Sequence, residues 1–202
     1  MIISHKHKFI FIKTVKTAGT SIEIFLSQQC GLSDVVTPIF PHIEPHVARN
    51  HDGFYNHMPA SEIRHKIDPQ IWRSYFKFCV ERNPWDKTLS YYHMMNYRQG
   101  GGLKFKDFLD GKSFPVNYPS YTEPGNPNKL VVDRVIRYEH LTKELAGVFQ
   151  DLGILFVGTL GVNAKSEYRA DRRPYHEVYS NKQARLIRDV FRQEILLHGY
   201  KY

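Results

Sequence analysis

The sequence predicts an α/β domain built on a parallel central sheet, and three observations carry that expectation. Apolar, β-branched runs alternate along the 202 residues with segments of helical spacing. Two of the strand-like runs, residues 9–13 and 75–81, each lead through a short polar junction into a helix amino terminus. A composition of 42% hydrophobic and 14% aromatic residues is enough to bury a substantial core as one domain over residues 1–202.

The first strand, Phe9 to Lys13, stops at the small and hydroxylated run Lys16-Thr17-Ala18-Gly19-Thr20-Ser21. A helix follows, because Ile22, Phe25, Leu26 and Cys30 fall on one face and Gly31 stands where it would stop. Residues 32–57 are rich in Pro, His, Asn and Asp without a period, which predicts a functional loop that takes part in substrate recognition. Pro59 to Lys66 reads as a short helix with Pro59 near its first turn. The second strand, Tyr75 to Glu81, leads to a cap at Asn83, Pro84 at the first helical position and a helix to about Arg98. Gly100 to Gly102 end that helix, and the prolines of residues 111–129 predict a surface excursion within the domain. A third strand, Leu130 to Tyr138, precedes a helix carrying Leu145, Val148, Phe149 and Leu152 and closed by Gly153. Ser180 with Gln183 then forms a capping box for a last helix, with Ile187, Val190, Phe191 and Ile195 on one face.

Charge and cysteine content narrow the function. Lys and Arg exceed Asp and Glu by 28 to 20, so the surface favours polyanions or an anionic nucleotide. Cys30 and Cys79 form no spaced framework, which suits a reducing compartment. His and Lys interrupt the opening MIISHKHKFIFI, and no run of ~18 apolar residues occurs, so a cytoplasmic protein without membrane contact is expected.

The first junction has the chemistry of an anion site. A helix amino terminus offers unpaired N–H groups and partial positive charge, Gly19 permits close backbone approach, Thr20 and Ser21 add hydroxyls, and Lys16 adds a full charge. A Walker A loop needs two glycines with four residues between them and then lysine and Ser or Thr; here a single glycine follows the lysine, which disfavours a nucleoside triphosphatase. At the second junction Arg82 stands at a strand's carboxyl end and Ser90 about two turns along the next helix, a pair suited to a second phosphate. Pairing of Arg82 with Glu81 or Asp86 is the competing structural role.

These stretches resemble a known family. "FIKTVKTAGTS" is similar to the loop that binds the 5′-phosphosulfate in sulfotransferases using 3′-phosphoadenosine 5′-phosphosulfate (PAPS), especially the carbohydrate sulfotransferase branch. "VERNPWDKTLSYY" resembles that family's 3′-phosphate motif, while "RVIRYEHL", "LGVNAKS" and the terminal "HGY" resemble its later elements. The resemblance implies a three-layer, P-loop-kinase-like sulfotransferase fold with a parallel central sheet and flanking helices. It further implies PAPS as donor, PAP (3′-phosphoadenosine 5′-phosphate) as product, and a hydroxyl or amine acceptor on a saccharide or other small molecule. By position Lys16, Thr17, Gly19, Thr20 and Ser21 match the 5′ loop, Arg82 and Ser90 the 3′ site, and Lys165 and Ser166 a further contact. Many relatives carry proline before the loop lysine and often histidine three residues before it; here those positions are Val15 and Lys13.

Transfer of a sulfuryl group builds negative charge on the departing phosphate oxygen, which Lys16 and the helix terminus are placed to stabilise. The acceptor must lose a proton, and the resemblance implies His57, in "YNHMPASEIR", as the base, with Glu44 and His51 as alternatives in the same loop. The spacing of His42, His46, His51 and His57 fits no usual metal pattern, and no metal is expected. Two other classes stay open. A small-molecule or nucleotide kinase would share the architecture but needs a carboxylate for magnesium; a basic nucleic-acid-binding module would use the net charge, although the basic residues are dispersed and no nucleic-acid partner is expected.

Overall fold

The computed structural model describes residues 1–162, 168, 171 and 173–202, and Lys165 and Ser166 therefore lie outside the described residues. In chain order the strands are β1 (Ile2–Ser4), β2 (Phe9–Phe11), β3 (Val35–Val36), β4 (Phe76–Glu81), β5 (Thr122–Glu123), β6 (Asn126–Leu130) and β7 (Arg134–Arg137). The helices are α1 (Gly19–Gln29), α2 (Ala60–Lys66), α3 (Pro69–Ser74), α4 (Pro84–Arg98), α5 (Phe105–Asp110), α6 (Leu141–Asp151), α7 (Asn181–Val190) and α8 (Arg192–His198). The chain divides into two compact units, Met1–Glu81 with Asn117–Ala164, and Arg82–Val116 with Lys165–Tyr202.

The first unit holds a mixed five-stranded sheet in the order β3-β1-β2-β4-β7. β2, β4 and β7 run parallel, in register through Phe9↔Phe76, Phe11↔Phe78 and Val80↔Ile136. β1 and β3 extend the sheet antiparallel, so the expected parallel sheet is confirmed at its centre and corrected at one edge. The short β1, Ile-Ile-Ser, turns back within four residues, too brief for its alternation to stand out from the run that follows. Strands covered on both faces read as continuous apolar runs, and Phe9, Phe11, Phe78, Val80 and Ile136 are all buried with Ile22 and Leu26 of α1 and Leu145, Val148 and Phe149 of α6. Each such side chain contributes about 1.5–3 kcal/mol by leaving water.

The expected third strand, Leu130 to Tyr138, is two objects. Leu130 ends β6, which pairs antiparallel with β5 in a separate two-stranded sheet, and only residues 134–137 join the main sheet. Asp133 marks the entry, its carboxylate accepting the Lys77 N–H at 2.7 Å while its own N–H reaches the Lys77 carbonyl at 2.8 Å. Residues 111–129 carry more than surface: Asn117 and Tyr121 are buried on either side of a 3₁₀ turn at Tyr118–Ser120. Prolines signalled the turns but not the buried polar network they place.

The second unit packs α4, α5, α7 and α8 around Trp85, Leu89, Phe108, Ile187 and Phe191. Asn83 caps α4 by accepting the N–H groups of Trp85 and Asp86, with Pro84 at the first position as expected. The Ser180–Gln183 capping box is present, but the last helix breaks at Phe191, whose ψ of 23° separates α7 from α8 while its ring stays in the core. Among the described residues no helix is long and apolar enough to cross a membrane.

Candidate active site

The loop between β2 and α1 is built from backbone geometry that its side chains hold in place. Beyond β2 the Ile12 N–H still reaches the Phe78 carbonyl at 2.9 Å, and the Thr14 hydroxyl donates to the Val80 carbonyl, so the loop departs from the fixed carboxyl edge of the sheet. The Thr14 and Thr17 hydroxyls meet at 2.8 Å. Thr17 is thus turned inward and buried, with its hydroxyl engaged within the loop. Lys16 and Ala18 both adopt left-handed conformation, each with φ of 62°. Non-glycine residues hold such angles only where the surroundings impose them, and strain of this kind collects at binding sites. Alternating right- and left-handed residues turn successive N–H groups into one concavity. Ala18 is the N-cap of α1 and supplies no side-chain hydrogen bond to it.

Gly19 has a packing reason. A Cβ there would lie 2.8 Å from Lys13 Cγ and 3.3 Å from the Thr14 carbonyl oxygen. Lys13 cannot easily retreat, since it is only 2% exposed and its Nζ lies 2.6 Å from Glu23 Oε2. The other Glu23 oxygen accepts from Thr37 Oγ1 at 2.9 Å and from the Met1 amine at 2.5 Å. Burial works to raise the Glu23 carboxyl, but the two cations outweigh it and hold the group below its ordinary range. Burial lowers Lys13.

His57, just ahead of α2, makes a hydrogen bond to this loop. Its Nδ1 lies 3.0 Å from the Lys13 carbonyl oxygen, which as an acceptor requires Nδ1 to carry the proton and makes Nε2 the basic nitrogen. Burial, reinforced by the Lys13 charge, pushes the imidazole down to about 4, so it is neutral and able to accept a proton across the physiological range. Its φ of 65° is also left-handed. The alternative Glu44 is 80% exposed beside His42, and His51 is half-buried.

Arg82, the residue before Asn83, and Ser90, on α4, belong to the second unit. Arg82 is nearly buried and gripped by Asp86, with Nε at 2.9 Å and Nη2 at 2.7 Å from Oδ2. The competing structural role of Arg82 is therefore present, and it fixes the guanidinium at the strand exit; Ser90 is half-buried. Because β2 and β4 are parallel, Lys13 follows one strand and Glu81 ends the other at the same sheet edge. In the first unit an open cleft of about 210 Å³ adjoins the loop, lined by Ala18, Ser21, Tyr138, Leu141, Phe156 and Leu160 among others.

Two contributors were not read from the sequence. Asn117 holds Val15 and Glu23 holds Lys13, each a polar residue whose partner is fixed by the fold, whereas the Asp86 partner of Arg82, four residues on, is among those the sequence offers. Among the described residues no group of three or more His, Cys, Asp or Glu side chains is arranged to hold a metal ion.

The fold is a mixed α/β sheet, parallel at its centre, that carries the lysine-containing loop after β2 into the amino terminus of α1. The sequence matches the model of the sulfotransferase family over residues 1–201, and the chain belongs to that family. It is 33% identical over 100 residues, 48% of this chain and 83% of the other, to an uncharacterized protein of Archaeoglobus fulgidus. Its fold is similar to that of mouse sulfotransferase SULT7A1 complexed with PAP, with a TM-score of 0.57, 14% identity, and coverage of 98% of this chain and 87% of that one. A sulfotransferase from Alicyclobacillus acidocaldarius aligns with a TM-score of 0.43 at 15% identity, over 93% of this chain and 94% of that one.

Proposed function

We propose that this protein transfers a sulfuryl group from PAPS to a hydroxyl or amine of a small-molecule or saccharide acceptor. The observation that carries the reading is the α1 terminus, which has alanine as its N-cap residue and is entered through Lys16 and Ala18 in left-handed conformation. The 5′-phosphosulfate of the donor suits that concavity, and the adjoining cleft, with Tyr138 and Phe156 in its wall, suits an aromatic base. Arg82, oriented by Asp86, and Ser90 take the 3′-phosphate in this reading, with Lys165 and Ser166 as further contacts from the family resemblance.

The acceptor oxygen attacks sulfur while the bond from sulfur to the bridging phosphate oxygen breaks. His57 Nε2 takes the acceptor proton, and Lys16 with the α1 N–H groups stabilises the charge left on the departing phosphate. The structural resemblance to a PAP-complexed sulfotransferase supports the donor class. Incubation with PAPS and a panel of saccharide, phenol, alcohol and amine acceptors, read by mass spectrometry, tests the reading. Sulfated product together with PAP is expected. Phosphorylated product from ATP and magnesium, with none from PAPS, would replace it with the kinase reading.

A further inference from the structure

Lys13 stands where many members of the resembling family carry histidine, and nothing in the transfer chemistry above uses its charge. Three contacts converge on it. Its ammonium binds Glu23, one turn into α1, at 2.6 Å; its side chain lies across Gly19, where a Cβ would come within 2.8 Å; and its carbonyl oxygen receives the His57 Nδ1–H at 3.0 Å. Both charged groups are almost wholly buried. A buried ion pair is weak evidence for stability, since apolar residues of similar volume serve a core as well, but it fixes geometry in a way that apolar packing does not.

We infer that Lys13 is a positioning residue, a joint whose side chain holds the anion loop against α1 and whose main chain holds the base. One residue then sets the relation between donor phosphosulfate and acceptor proton, because the side chain and carbonyl cannot shift independently. The groups whose charges reach His57 are Lys13, the Met1 amine and Glu23, with Lys13 the largest and of the sign that keeps the imidazole neutral. The inference rests on the sulfotransferase reading for its catalytic meaning, while the hold on His57 is independent of it.

The test follows His57 by NMR in the full chain with labelled histidine, beside PAP titration calorimetry and turnover, for wild type, Lys13→Met and Lys13→Met/Glu23→Gln. Lys13→Met keeps the stem across Gly19 and removes the charge. In the single variant the Glu23 carboxylate keeps the Met1 amine and Thr37 as partners, so it is expected to fold, and the double variant removes both charges of the pair. In wild type the Nδ1–H tautomer and a midpoint of about 4 are expected. In the folded variants the midpoint moves up toward the ordinary histidine value, PAP binds about tenfold more weakly through lost pre-organisation, and turnover falls about 10²-fold with little change in acceptor KM. An unmoved midpoint with unchanged PAP affinity would overturn the inference, as would failure of both variants to fold, since that would make Lys13 a requirement of the core. Absence of PAP binding in the wild type would instead remove the functional reading, with the His57 titration still deciding whether Lys13 governs the imidazole.

Discussion

The Asn117 carboxamide grips both backbone polar groups of Val15, accepting its N–H at 2.9 Å and donating to its carbonyl at 3.0 Å. The same side chain reaches Glu81 Oε1 at 3.3 Å, and Tyr121 donates to Glu81 Oε2 at 2.9 Å. The residue before the loop lysine is thus clamped to the last residue of β4. Asn117→Ala should leave those backbone groups buried without their present partner and cost about 1–3 kcal/mol, measured by urea denaturation. PAP affinity should fall with it. An Asn117→Ala protein of wild-type stability and affinity would show that the clamp is not needed.

Opposite outcomes are expected at neighbouring loop positions. Ala18→Gly relieves a left-handed alanine, a penalty of about 1–2 kcal/mol offset in part by the greater freedom of glycine in the unfolded chain, so a small rise in Tm is expected. Gly19→Ala forces a methyl to 2.8 Å from the confined Lys13 stem, so both stability and PAP binding should drop. Tolerance of Gly19→Ala with full activity would mean that Lys13 yields freely.

Arg82→Ala should weaken PAPS more than adenosine 5′-phosphosulfate, by about 1.5–3 kcal/mol, because only PAPS carries the 3′-phosphate. Asp86→Asn should reduce the same discrimination to a smaller degree, since the guanidinium stays but loses the partner that aims it. Equal weakening of both nucleotides in calorimetry would reject this role for Arg82.

The pH dependence follows from the direction of the His57 shift. An imidazole lowered to about 4 in the fold binds fewer protons than in the unfolded chain, so its contribution to stability is complete above about 6.5 and is lost as pH falls through 4. Turnover should therefore hold through pH 6 and decline only on approach to 4, lower than an ordinary histidine would give. His57→Ala should remove that limb and lower turnover by ~10² to 10⁴ with PAP affinity nearly intact. An acid limb near 6.5 that survives His57→Ala would move the base to His51 or Glu44.

Much of this was legible in the sequence because it is local. The run from Phe9 to Ser21 spells strand, loop and helix in one stretch, and Asn83-Pro84 marks the start of α4 through residues whose preferences are intrinsic. The sheet's antiparallel edge was not legible, since β1 and β3 span three and two residues and gain their identity only by pairing. Lys13 was read as a departure from the family's pattern and not as a joint, because its partner Glu23 lies ten residues on in a helix otherwise marked by its apolar stripe. Asn117 sits 102 residues from Val15 in a proline-rich stretch, and no local pattern announces a contact of that range.

Calorimetric titration with PAP, adenosine 5′-monophosphate and ATP measures the central claim, that the loop after β2 serves a sulfotransferase donor. PAP is expected to bind one to one and at least about tenfold more tightly than adenosine 5′-monophosphate, the difference arising from the 3′-phosphate, and Lys16→Ala should weaken it. No detectable PAP binding, with ATP and magnesium bound in its place, would contradict the claim.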